Sequence, residues 1–143
     1  MTFSLLPDVN IWVALHHTRH LHHQKALEWF EALDPMQVLV FCRQSQIGLF
    51  RLLTTAAAMG DETITQRQCW AIYDRWIEGG RAVELTEPAG LALAFRSRTE
   101  VTAPAPKTWT DAYLAAFAET AELTLVTFDR ALAGKTKQAL LLQ

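Results

Sequence analysis

The chain reads as a three-layer α/β domain with a mainly parallel central sheet. Three observations carry that reading. Short apolar, β-branched runs alternate with segments whose apolar residues recur at helical spacing, along the whole length of 143 residues. Runs such as Val38-Leu39-Val40-Phe41 are apolar at consecutive positions, as strands covered on both faces are. No repeat, linker or low-complexity stretch interrupts the chain, so a single domain over residues 1–143 is expected.

In order, residues 3–7 read as a short buried strand and Asn10 to Leu15 as a helix. His16-His17-Thr18-Arg19-His20-Leu21-His22-His23 is a polar connection. Ala26, Leu27, Trp29, Phe30 and Leu33 recur at helical spacing. Asp34-Pro35 stops that helix, because the residue before proline avoids the helical region. Val38 to Phe41 is a second strand, which feeds into a helix over Gln46 to Leu53. Gly60-Asp61 marks a turn, and Thr65 with Gln68 forms a capping box. The helix behind that box carries Trp70, Ile72, Tyr73, Trp76 and Ile77 and ends at Gly79-Gly80. Ala82 to Leu85 is a third strand and Pro88 to Phe95 a helix. Pro104, Pro106 and Lys107 make a stiff loop before a helix over Thr110 to Glu122. Leu123 to Thr127 is a fourth strand and Ala139 to Leu142 a fifth.

The totals narrow the class. Half the residues are hydrophobic, enough for a real core. A formal net charge of -2 argues against non-specific wrapping of nucleic acid, although 13 Lys and Arg can still line one face. Cys42 and Cys69 match no zinc spacing and are too few for a disulfide framework, so reduced thiols in cytoplasm are expected. The N-terminus has no basic leader with a long apolar core, and no apolar run reaches roughly 18 residues, so neither a secretion signal nor a membrane span is expected.

Three acids have similar settings. Asp8 follows the first strand, where ligands of α/β sheets collect. Asp111 opens a helix in Thr108-Trp109-Thr110-Asp111, and Asp129 follows the fourth strand. Each has an ordinary structural account: a turn or cap at Asp8, a capping box with a first-turn acid at Asp111, a cap on Arg130-Ala131-Leu132 at Asp129. Their conjunction points further. Two charges about 4 Å apart repel by roughly 4 kcal/mol at an effective dielectric near 20, and a hard divalent cation removes that cost. Bound water made more acidic by such a cation hydrolyses a phosphodiester without a covalent intermediate.

At these residues the chain resembles the PIN-domain ribonucleases, specifically the VapC toxins of bacterial toxin–antitoxin pairs. Leu6-Pro7-Asp8-Val9-Asn10 resembles the opening motif, with its first metal-binding Asp and the following Asn. Thr110-Asp111-Ala112-Tyr113-Leu114-Ala115-Ala116 resembles the segment that holds a later catalytic Asp. Leu125-Val126-Thr127-Phe128-Asp129 resembles the terminal motif. The resemblance implies a PIN-like α/β/α fold and endoribonuclease activity on structured RNA such as transfer RNA, with Mg2+ or, in its place, Mn2+. It also implies a homodimer and inhibition by a small VapB-like antitoxin inserted into the active-site groove. Metal ligation falls to Asp8, Asp111 and Asp129, and Asn10 and Gln46 are supporting polar groups. The chain departs from the pattern at Gln46, where the family usually has Glu. An amide positions water or offers a neutral ligand but brings no charge, so weaker metal affinity is expected unless an acid such as Asp61 or Glu62 compensates.

Arg51, Thr110 and Trp109 are the candidates for touching substrate, and Arg19, Lys25, Arg43, Lys107 and Arg130 are the other basic residues expected at the crevice or its rim. Trp12, Trp29, Trp70 and Trp76 fall on apolar helical faces and read as packing residues. The histidines from His16 to His23 read as a solvated loop; zinc binding or an RNA contact by His22 or His23 are the alternatives. Two other functions remain: a PIN-like domain that binds without cutting, signalled by Gln46, and a phosphatase with Asp8 as nucleophile. The phosphatase would want a second acid where Asn10 stands. No glycine-rich phosphate loop of the G-x-x-x-x-G-K type is present, which counts against nucleotide hydrolysis.

Overall fold

The computed structural model describes residues 4–143; Phe3, included in the expected first strand, lies outside the described residues. Five strands, β1 (Ser4–Pro7), β2 (Val38–Phe41), β3 (Ala82–Glu84), β4 (Thr124–Thr127) and β5 (Ala139–Leu141), form one sheet in the order β3-β2-β1-β4-β5. Every neighbouring pair is parallel. Successive strand residues serve opposite cores: Leu5, Leu39, Phe41 and Val126 face one, Leu6, Val40 and Leu125 the other. The consecutive apolar runs of the sequence have this cause.

Helices α1 (Val9–His16), α2 (His23–Glu31), α3 (Arg43–Leu53), α4 (Ala56–Met59) and α5 (Gln66–Glu78) lie between the first three strands in the chain. The first core is built on Trp12, which stacks on Phe41 at 3.9 Å between ring centres and meets Trp76 edge-on at 5.1 Å. Helices α6 (Leu91–Thr99), α7 (Thr108–Thr120) and α8 (Arg130–Gly134) follow. The second core gathers Leu91, Leu114, Phe117 and Leu132 from these helices. Three layers result. Cys42 and Cys69 are both buried free thiols. Among the described residues no helix is long and apolar enough to cross a membrane.

The expected elements all form, with shifted ends. The capping box of Thr65 and Gln68 is present, with each side chain bonded to the other's backbone amide at 2.9 and 3.2 Å. The box expected at Thr108–Asp111 does not form: Lys107 holds the N-cap without a side-chain bond, because the chain leaves the proline loop already in helical conformation there. Helix α6 starts three residues late, after Gly90 at φ 88°, a left-handed conformation that glycine adopts without strain.

Candidate active site

Parallel order makes every strand point its carboxyl end the same way, and the order switches direction around β1. Asp8 stands where β1 passes into α1, at the N-cap position of that helix. Its side chain makes no cap bond. Instead Oδ2 accepts from Thr127 Oγ1 at 2.9 Å, at the end of the neighbouring strand β4. Thr127 is fully buried, and its hydroxyl oxygen also accepts from the Asp129 amide at 2.9 Å. One hydroxyl therefore joins the first acid to the backbone of the third.

A crevice of about 630 Å³ opens beside Asp8. Asp111, from the first turn of α7, lines it, as do Gln44, Ile47, Gly48 and Arg51 along one face of α3. Thr110 and Glu87 also line it, as does Arg43. The Thr110 carbonyl accepts from Gln44 Nε2 at 3.5 Å, across from α3 to α7. Glu87 Oε2 accepts from the Tyr113 hydroxyl at 2.7 Å.

The acids feel one another. Burial, first of all, pushes the Asp8 carboxyl above the usual carboxylate range, and the charges of Asp111 and Asp129 push the same way. The Thr127 hydroxyl and the Val9 amide oppose them. Burial likewise raises Asp111, with Asp129 adding to it and Lys135 and Lys107 opposing. Asp129 itself has a structural occupation: Oδ1 accepts from the amides of Ala131 at 2.8 Å and Leu132 at 3.2 Å, capping α8. Among the described residues no three acidic, histidine or cysteine side chains stand close enough to enclose a cation by themselves.

Other candidates lie elsewhere. Asn10 is exposed on the first turn of α1 and does not line the crevice. Gln46 is only 3% exposed and does not line the crevice: Oε1 accepts from Arg43 Nη1 at 2.5 Å and Nε2 donates to Glu84 Oε2 at 3.4 Å. Trp109 is 57% exposed, but it sits over a separate groove with Val101, Pro104 and Pro106. Asp61 and Glu62 do not compensate for Gln46. Asp61 pairs with Arg19, and Glu62 is held by the Thr18 hydroxyl at 2.6 Å and His17 Nδ1 at 2.5 Å. These partners, Thr18 foremost, lower the Glu62 carboxyl to about 2.

The histidines are absorbed by structure too. His16 Nδ1 donates to the Trp12 carbonyl at 2.8 Å and Nε2 accepts from the Trp76 indole at 2.9 Å, which fixes a neutral ring. Burial lowers its pKa accordingly. His23 Nδ1 donates to the Ala14 carbonyl at 2.6 Å, and His22 stacks on Phe128 at 4.3 Å. Sequence reasoning gave no part to Thr127, Glu87 or Gln44. Thr127 did carry a signal, a hydroxyl closing an otherwise apolar buried strand; Glu87 and Gln44 carried none, because only folding brings them to the crevice.

A family profile described as PIN domain matches residues 5–137. Ribonuclease VapC41 of Mycobacterium tuberculosis is 42% identical over 131 residues, which cover 89% of this chain and 90% of the relative. Ribonuclease VapC29 of the same organism is 28% identical over 133 residues, 91% of this chain and 89% of the relative. Among solved structures, M. tuberculosis VapC20, described as a sarcin-ricin loop cleaving toxin, superposes with a TM-score of 0.64 at 13% identity, covering 92% of this chain and 94% of its own. FitAcB from Neisseria gonorrhoeae superposes with a TM-score of 0.54 at 20% identity, covering 96% of each.

Proposed function

The chain belongs to the PIN-domain family, and from that premise we propose that it is a divalent-metal-dependent endoribonuclease, the toxin of a toxin–antitoxin pair. The observation that carries the reading is the pair Asp8 and Asp111: two carboxyls from distant parts of the chain, lining one crevice and both raised toward the protonated form. Such a pair suits a hard cation. Mg2+ is usually held by one or two carboxylates with water completing its shell, so a site that does not enclose the cation fits it. Asp8 and Asp111 would hold it, with Asp129 contributing through the Thr127 link. The cation supplies a more acidic bound water and charge stabilisation at phosphorus; Mn2+ has the same hard-oxygen preference.

The chain's own residues do the rest. Thr127 fixes the Asp8 carboxylate in one orientation through Oδ2. Asp129 caps the start of α8. Arg51 and the Thr110 segment stand on opposite walls, where a phosphate backbone lying in the crevice would meet them. A structured RNA such as transfer RNA is the proposed substrate class, and a small VapB-like protein filling the crevice the proposed inhibitor. Trp70 and Ile77 leave apolar surface exposed on α5, which supports pairing with a second copy there.

The test is cleavage of RNA by purified, antitoxin-free protein with Mg2+, Mn2+ or EDTA, beside Asp111→Ala. Cutting that requires metal and falls by at least a hundredfold in the variant is expected. Cutting that persists in EDTA, or in Asp111→Ala, would refute the assignment.

A further inference from the structure

We infer that Arg43 is a phosphate-binding residue of the crevice and that Gln46 and Glu84 are positioning residues that act through it. The inference rests on the ribonuclease reading for its substrate, and it gives Gln46 a role that does not involve metal.

Arg43 and Gln46 are one turn apart at the start of α3, so their side chains share a face. Glu84 ends β3, the strand beside β2, and its side chain reaches the same point. Arg43 Nη1 meets both acceptors, Gln46 Oε1 at 2.5 Å and Glu84 Oε2 at 3.3 Å. The same Glu84 oxygen accepts from the Tyr73 hydroxyl at 2.9 Å and from Gln46 Nε2 at 3.4 Å. Glu84 therefore serves three donors, and its contact with Arg43 is a single one to Nη1 at 3.3 Å.

Both contacts that Arg43 itself makes fall on Nη1. Nε and Nη2 of Arg43 have no hydrogen bond among the described residues, and they form the side of the guanidinium that takes two phosphate oxygens at once. Arg43 lines the crevice that holds Asp8 and Asp111, and its side chain is 63% exposed. A guanidinium already fixed on one side loses less freedom on taking a phosphate with the other. Arg51, on the same wall, has no side-chain partner of this kind among the described residues. The amide at position 46 matters because it accepts from Arg43 while donating to Glu84. A carboxylate there would meet Glu84 with like charge and neutralise Arg43.

The experiment is fluorescence anisotropy with a short labelled single-stranded RNA in EDTA, where binding is read without cutting, at several salt concentrations. Arg43→Ala is expected to weaken binding roughly tenfold, the scale of one charge-assisted hydrogen bond, and to reduce the salt slope by about 0.7. Gln46→Met and Gln46→Glu are expected to weaken binding several-fold while Mg2+ affinity, read by calorimetry, stays at the parent value. An unchanged salt slope in Arg43→Ala, or a parent protein that binds no RNA, would overturn the assignment. So would tighter Mg2+ binding by Gln46→Glu, which would return Gln46 to the metal site. A purely structural role for the cluster would lower the melting temperature of Arg43→Ala and leave the salt slope alone. If the parent binds RNA but cuts none with metal, the ribonuclease reading fails, and a weakened Arg43→Ala still supports the phosphate site.

Discussion

Asp8 is a carboxyl that folding makes worse off. Burial raises its pKa above the ordinary 3.8, and Asp111 and Asp129 raise it further. The folded state therefore takes up a proton more readily than the unfolded chain. Above the unfolded pKa the ionised group lowers stability, and this cost is relieved as pH falls from neutral through the raised folded value. In Asp8→Asn the amide oxygen still accepts from Thr127, and the charge is gone. Without metal, the variant should melt a few degrees above the parent at pH 7, at about 2–4 °C per kcal/mol for a domain of this size. That difference should shrink as pH falls toward 4, in thermal scans followed by circular dichroism. A variant that melts lower at pH 7 would mean that the carboxylate is needed by the fold. Asp129 contrasts with it: its oxygen is already committed to two amides of α8, so its sequence reading as a cap is correct at the level of structure.

Between elements, the crevice depends on how closely α3 approaches the start of α1. The contact is Gly48 against Val9: a Cβ built on Gly48 would lie 2.6 Å from Val9 Cγ2. Valine has one side-chain torsion and little room to yield. Gly48→Ala should therefore cost about 1–3 kcal/mol, as overpacking does, and should push α3 away from Asp8, the residue before Val9. Adding Val9→Ala removes the obstructing methyls, so the double variant should recover much of the stability lost by Gly48→Ala. Denaturant unfolding of the four proteins measures this coupling, and strict additivity would show that the two residues do not meet. Nothing in the sequence distinguishes Gly48 from a glycine tolerated in mid-helix; its reason lies in a neighbour 39 positions away. Helix existence, by contrast, is legible wherever a cap or periodic face is local, as at Thr65–Gln68. Ends set by backbone geometry, such as Gly90 before α6, are less so.

For the whole molecule, two-sided burial explains what the sequence reveals and what it withholds. Leu5 and Leu6, or Leu39 and Val40, must both be apolar because they enter different cores, and that makes the five-stranded sheet and its three layers readable. The positions of Asp8 and Asp111 at a common crevice follow from parallel order and the right-handed crossovers it demands. Side-chain direction does not follow: Gln46 and Asn10 sit in the right segments but do not line the crevice, and Glu87 arrives there unannounced. The global consequence concerns metal. A cation held by Asp8 and Asp111, as proposed, would bind the folded chain alone, since the unfolded chain separates them, and would stabilise the molecule by RT ln(1 + [M]/Kd), about 2.7 kcal/mol at a hundredfold excess over Kd. The parent should thus melt several degrees higher in saturating Mg2+ than in EDTA. Asp8→Asn should gain little, so that the order of the two proteins seen in EDTA reverses in Mg2+. The two acids act as one site only if Asp111→Ala loses the same increment. An equal Mg2+ response in all three proteins would place the cation elsewhere and detach the acids of the crevice from metal altogether.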